Sequence, residues 1–431
     1  MRGAPLAFAV AYLALRGAML FQPGYQDDLK AYRRWALGAA EHGLAHVYTA
    51  SDMDYPPLYA YALWPLGRAY LALSPGAGTP KGGDPALWTA LVKLPPLLFD
   101  LATAALLFRL GRRADADAER AARLPWRFLL PGAYLANPAV VFDTGYWGHP
   151  DSVHSFFVLG ALLLAADGRA AGACAALALG ALMKPLAAPF LPLLACLVWC
   201  RSGYAGLLRG AAAALATASF VFLPFVLAGE AGAVLRRVLL DLDAMPYTSV
   251  NAHNLWGLFG GWRPADAPLF GPLSATAIGL VLFGAALLGL LLLLLRLERG
   301  AGVSPQQACV LGAAVSFSFF MLSTHMHENH LFVALPLLAA ALPLGREWRR
   351  LFAFVTLAVL LNLALHDPEL PGRWPFTLGG ATGVPRLSHG RVFFAGELLA
   401  VRAANALSVG VFLAFSWSVL RLGREQGAGL R

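Results

Sequence analysis

From Ala277 to Leu295 the chain runs without one charged side chain. A helix needs ~20 apolar residues to cross a bilayer. In hydrocarbon, every backbone N–H and C=O must be bonded within its own segment, so such a stretch has to be helical. The rest of the chain agrees: 58% of its 431 residues are hydrophobic and 13% charged, too little charge to cover a soluble protein of this size. The expectation is an all-α polytopic membrane protein with about 12 spans, within roughly 10 to 13 given the imprecision of boundaries. They are placed near 4–21, 86–108, 128–145, 152–166, 170–184, 186–200, 210–228, 272–295, 306–323, 331–345, 351–366 and 393–420. The first has no small-residue cleavage pattern behind it and is expected to be a retained helix. Leu58–Leu73, interrupted by Pro65 and Arg68, reads as a helix lying at the interface.

A net charge of +9 suggests nucleic acid only until the charges are placed. Lysine occurs at positions 30, 81, 93 and 184 alone, while arginine gathers between spans, most densely at Arg109, Arg112, Arg113, Arg120, Arg123 and Arg127. Short basic loops stay in the cytoplasm. That rule puts both termini inside, makes 22–85 a large first outer loop, and leaves no case for a nucleic-acid partner. Cys174, Cys196, Cys200 and Cys309 lie in apolar stretches without paired spacing, as small core residues do. All ten histidines then fall at the outer side. A functional face pointing away from the cytoplasm is the economical reading.

The outer segments hold the groups that are costly near lipid. Asp27-Asp28 opens the first loop. A carboxylate there suits a general base taking a proton from an attacking hydroxyl, although an acidic pair also suits a helix start. Arg33, Arg34 and Trp35 follow at helical spacing, and Asp54-Tyr55-Pro56-Pro57-Leu58 comes later in the same loop. Between two spans stand Asp143, Tyr146, Trp147, His149 and Asp151, where aromatic rings beside carboxylates suit the faces and hydroxyl edges of a sugar. Lys184 ends an apolar run, either snorkelling or facing a phosphate. Asn251, Asn254 and Trp256 belong to an outer loop. His325-Met326-His327-Glu328-Asn329-His330 lacks His-Glu-x-x-His spacing, which disfavours zinc-protease chemistry and favours phosphate binding.

Taken together, these residues resemble the membrane-embedded GT-C glycosyltransferases, in particular the dolichyl-phosphate-glucose-dependent glucosyltransferases and the prokaryotic polyprenyl-phosphate-mannose-dependent mannosyltransferases. The similarity is carried by Asp28 seven residues before Trp35, by Asp54–Leu58, by Lys184 and by His325–Glu328, in that order. It covers the chain to about Trp256 and resumes around His325. Asn329 and Pro185 depart from the eukaryotic pattern, which has Lys and Gln there. The resemblance implies a catalytic module over 1–260, followed by C-terminal helices over 261–431 that carry the His325–His330 outer motif and an outer loop at 367–392. It implies transfer of a hexose, mannose or glucose, from a polyprenyl-phosphate donor to a hydroxyl of a lipid-linked glycan or other acceptor, with inversion. Asp28 is the expected base, with Asp27 as the other candidate. Lys184, His325, His327, Arg33 and Arg34 are expected at the phosphate, and Asp143, Tyr146, Trp147 and Asp151 at the sugar or acceptor. No cofactor is required, and a divalent metal is left open.

The competing reading is a lipid or solute transporter whose pathway includes Arg16, Asp100 and Arg402. It lacks the internal repeat that many transporters show. The Lys-poor, Ala-, Gly- and Arg-rich composition points to a GC-rich genome, hence a bacterial inner membrane with a periplasmic site.

Overall fold

In a computed structural model, which describes residues 4–79, 82–116, 125–240, 246–259, 261, 263–365 and 395–428, the protein is mostly helical. Five of its helical stretches are long and apolar enough to cross a membrane: Pro85–Ala116, Pro185–Leu227, Ala275–Arg299, Pro305–Leu322 and Val401–Leu422. Shorter apolar helices at Pro5–Leu20, Asp151–Ala166, Ala170–Met183 and Ala334–Leu344 pack among them. The long helices differ in surroundings. Ala275–Arg299 turns Leu280, Val281, Leu288 and Leu292 outward, whereas Pro305–Leu322 is buried along most of its length. An outward apolar face is what lipid contact allows and water does not.

Several expected spans are more broken than the apolar pattern suggested. The stretch expected at 128–145 is a helix over Trp126–Leu135, a restart at Asn137, and a wider π-helical turn over Val141–Trp147. Asn137 caps the restart by accepting from the Ala139 and Val140 amides, at 2.9 and 3.4 Å. The stretches at 186–200 and 210–228 form one run whose helical backbone breaks at Gly203, where φ is +60°. The end of the expected 351–366 span, the 367–392 loop, His366 and His389 lie outside the described residues.

The first loop folds into helices with a core of their own. Gln26–His42 and Pro57–Leu73 cross closely, and Leu29, Tyr32, Trp35, Tyr48, Tyr59, Leu63, Tyr70 and Trp88 are buried around them. Pro57 starts the second helix at a position where its missing N–H does no harm. Gly67 permits the crossing, because a Cβ there would stand 2.2 Å from the Ala36 carbonyl oxygen. Val153, Met183 and Phe225 join the same core, which fastens the loop to the ends of the apolar helices.

Arg16 and Asp100 form a closed unit elsewhere in the helix bundle. Arg16 Nη1 donates to Asp100 Oδ2 at 2.8 Å, while Thr144 and Tyr134 donate to the same carboxylate at 2.6 and 2.7 Å. Arg402, the third residue of the transporter reading, is exposed.

Candidate active site

Four distant segments meet at one end of the bundle. The first is the turn before Gln26–His42. Gly24, at φ +65°, packs so tightly that a Cβ would stand 2.7 Å from the Trp147 carbonyl oxygen and 2.8 Å from that of Tyr146. This contact sets Asp28, in the first helical turn, beside the second segment, 147–151. There the π-helical turn closes at Gly148 (φ +92°), and the Asp143 carbonyl accepts from the Gly148 and His149 amides at 2.9 and 3.1 Å. Asp151 then starts a helix, where the dipole favours a carboxylate.

Lys184 is the third segment. Pro185 disfavours helical backbone in the residue before it, and Lys184 is extended at φ −152° and ψ 132°. Its side chain therefore leaves the line of the Ala170–Met183 helix and reaches Asp151. The fourth is 325–330, held by a short parallel ladder pairing Ser249 with Met326 and Val250 with His327. Asn251 (φ +63°) and His325 (φ +62°) flank this ladder and are the only non-glycine residues with positive φ among those described. Each such residue stores roughly 1 kcal/mol or more, a strain found mainly at functional sites.

Asp28, a third exposed, receives two hydrogen bonds on one oxygen. Trp147 Nε1 donates to Oδ2 from 3.2 Å, and His149 Nε2 lies 2.5 Å from the same atom. Behind it, the Asn329 amide nitrogen is 2.7 Å from His149 Nδ1 and 2.7 Å from Asp151 Oδ2. Lys184 Nζ completes the row at 2.5 Å from Asp151 Oδ1. The Lys184 ammonium also sits 5.6 Å from the Tyr55 ring centre. Beneath the row, Asp143 is fully buried, 3.7 Å from His149 Nδ1, and both its carboxylate oxygens lack a hydrogen bond.

Burial alone would push the His149 imidazole down, but Asp28, Asp151 and Asp143 outweigh it and hold it well above the usual histidine range. Burial, then the charge of Lys184, pushes His327 down to about 4. At neutral pH His327 is therefore an uncharged imidazole. Burial raises Glu328 to about 7, and its Oε2 has no hydrogen-bond partner.

Asp143, His149 and Asp151 offer ligand atoms within 4.8 Å of one another, the one such group among the described residues. Lys184 and Asn329 engage Asp151, and Asn329 also lies against His149 Nδ1, whereas both Asp143 oxygens are without a hydrogen bond. A divalent ion here would meet the Asp143 oxygens directly and would have to displace the ammonium and the amide from Asp151.

Several expected residues lie elsewhere. Arg33 donates to the Ala77 and Gly82 carbonyls and stacks 5.2 Å from the Tyr70 ring centre, so it braces the first loop and does not face a phosphate. Arg34 forks onto Asp52 at 2.6 and 3.3 Å with both side chains about half exposed. Asp52 also accepts from Trp35 Nε1 at 3.0 Å, leaving Asp54 exposed beside it. Asn254 caps a short helix through the Gly257 amide at 3.0 Å and donates to the Phe320 carbonyl at 3.1 Å; its role is architectural. Asp27 is exposed. His325 stays with the fourth segment: its backbone N–H donates to the Tyr247 carbonyl at 3.0 Å, and its ring lies 2.9 Å from Thr324 Oγ1.

Asn329 is the site residue that sequence reasoning passed over. It was noticed as a departure from a pattern, and only its position between two acids and a histidine reveals its use. Comparison with protein-family models and with curated proteins found no match.

Proposed function

We propose that the protein is an integral-membrane GT-C-type glycosyltransferase that moves a hexose from a polyprenyl-phosphate donor to an acceptor hydroxyl, with inversion. In this reading the five long helices and the shorter apolar ones belong to a bundle of about 12 spans, with a periplasmic site and both termini in the cytoplasm. The observation that carries it is the Asp28 carboxylate. It is reachable from outside, fixed from behind by Trp147 and His149, and surrounded by the histidine loop and Lys184.

The chemistry follows from that placement. The acceptor hydroxyl approaches the free Oδ1 of Asp28 and gives up its proton as its oxygen bonds to the anomeric carbon. The bond from that carbon to the phosphate oxygen breaks, and negative charge grows on the phosphate. Donors already in position stabilise such charge without reorganising. His325, His327 and the N–H groups of Lys184 not used on Asp151 supply them. Tyr55, partly exposed among Tyr32, Trp35 and Tyr59, offers a ring face to a sugar.

The test is sugar transfer by purified protein from polyprenyl-phosphate mannose and polyprenyl-phosphate glucose, assayed in parallel with several acceptors. Asp28→Asn should lower turnover by ~10²-fold or more, and Asp27→Asn should leave it within a few fold. If Asp27→Asn abolished turnover and Asp28→Asn kept it, the base assignment would be wrong. Folded protein that used neither donor would sink the class.

A further inference from the structure

We infer that Thr144 is a positioning residue, whose hydroxyl couples the buried Arg16–Asp100 pair to the π-helical turn that delivers Trp147 and His149 to Asp28. Both groups that touch Asp28 Oδ2, Trp147 Nε1 at 3.2 Å and His149 Nε2 at 2.5 Å, come from the end of this one turn. A π-helical turn is rare, which implies contacts that select it here over an α-helix. Thr144 is where the turn meets them. Its Oγ1 lies 2.9 Å from Arg16 Nη1, 2.6 Å from Asp100 Oδ2 and 2.8 Å from the Val140 carbonyl oxygen. A guanidinium only donates, so the hydroxyl accepts from Arg16 and has its one hydrogen for Asp100 or for Val140. The bond to Val140, four residues back, is of the kind that bends helices.

The pair is anchored on other elements, so it gives the turn a fixed reference. Arg16 belongs to the helix Ala4–Leu20 and Asp100 to Leu94–Ala116, and Tyr134 donates to the other Asp100 oxygen at 2.7 Å. The guanidinium also lies against the turn, since a Cβ at Gly145 would stand 3.5 Å from Arg16 Cζ and Nε. Lys93 supports the far end. Its Nζ donates to the Met19 and Gln22 carbonyls at 2.9 and 2.6 Å, and its stem would lie 3.4 Å from a Cβ at Gly148. Arg16, Asp100 and Thr144 are all buried, so bulk water does not replace a hydrogen bond lost among them. A turn that reverted to α-helix would rotate the residues after Thr144 further round the axis and carry Trp147 and His149 off Asp28 Oδ2. Thr144 thus acts on Asp28 through these two side chains, without touching it.

Protein labelled with 5-fluorotryptophan tests this, each ¹⁹F signal being assigned with its own Trp→Phe variant. Thr144→Val, isosteric but without the hydroxyl, should move the Trp147 signal of the folded protein and leave those of the exposed Trp199 and Trp417 in place. Thr144→Ser keeps the hydroxyl and should keep the wild-type signal. A loss of stability alone would lower the unfolding midpoint without moving the folded signal. An unmoved Trp147 signal in Thr144→Val overturns the inference, as does a Thr144→Ser signal shifted like that of the valine variant. Should Thr144→Val fail to fold, Arg16→Met combined with Asp100→Leu removes both charges and strands neither; the Trp147 signal must move there too, or the inference falls. The kinetic arm rests on the proposed transfer reaction: Thr144→Val should lower kcat about 10- to 100-fold with KM little changed. A moved signal with unchanged kcat would refute the positioning role. A moved signal in a protein whose wild type transfers no sugar would uphold the brace and refute the glycosyltransferase reading.

Discussion

Replacing Lys184 with methionine keeps most of the side-chain volume and deletes the ammonium 2.5 Å from Asp151. Removing one partner of a buried ion pair destabilises a protein by about 3–5 kcal/mol, because the other charge remains unpaired. The site narrows that range. Asp151 is fully buried but keeps the Asn329 amide at 2.7 Å and the helix start beneath it. It can also escape by binding a proton, which at pH 7 costs about 4 kcal/mol for a carboxyl titrating ordinarily near 3.9. Protonation therefore caps the loss, and the expected defect at pH 7 is about 3–4 kcal/mol. At pH 5 the same escape costs only about 1.5 kcal/mol, so the defect should shrink by half or more.

The sign follows from linkage. In the variant the folded state binds a proton that the unfolded state releases, so relative stability falls as pH rises. Adding Asp151→Asn removes the stranded charge, and the double variant should regain most of the loss at pH 7. The assay is equilibrium unfolding in detergent micelles, read by thiol labelling of Cys309, which is fully buried in the Pro305–Leu322 helix. A defect equally large at pH 5 and pH 7, or a double variant no more stable than Lys184→Met, would refute the reasoning.

Two further outcomes are expected. Glu328 is raised from 4.5 to about 7 by burial. The stability tied to its neutral form is complete below pH 4.5 and lost as pH rises through 7, so Glu328→Gln should be more stable than wild type at pH 8, by up to about 3 kcal/mol, and unchanged at pH 4. Unfolding curves at the two pH values decide it, and a pH-independent difference would count against a buried ionisation. Gly67→Ala places a Cβ 2.2 Å from the Ala36 carbonyl oxygen, which should force the two first-loop helices apart and lower the unfolding midpoint measurably. An unchanged midpoint would mean that the crossing yields at little cost.

Much of the architecture was legible because lipid leaves a chain few options. An apolar run such as Ala277–Leu295 has no alternative to a helix, and Leu58–Leu73, set apart from the spans by Pro65 and Arg68, is helical over Pro57–Leu73. The break at Asn137 and the π-helical turn after it were not legible, since hydropathy averages over the backbone and is blind to a cap. At the site, residue type identified Asp28, Trp147, His149, Asp151 and Lys184 as unusual for their surroundings, and the structure brings all five together. Type could not say who pairs with whom. Arg33 and Arg34 looked like phosphate ligands because guanidinium groups suit anions, yet nearby carbonyls and Asp52 take them first. Asn329 carries no charge to draw notice, and its value depends on geometry at sequence separations of 178 and 180 residues.

Those separations have a consequence for how the molecule comes into being. A chain made as far as Leu322 already contains Asp28, Trp147, His149, Asp151 and Lys184, yet it lacks the amide that bridges His149 to Asp151. The row is completed only when the histidine loop arrives and docks its two-residue ladder on Ser249–Val250. Biogenesis thus has a built-in order, with the contacts behind Asp28 completed late, after most of the apolar helices have been made.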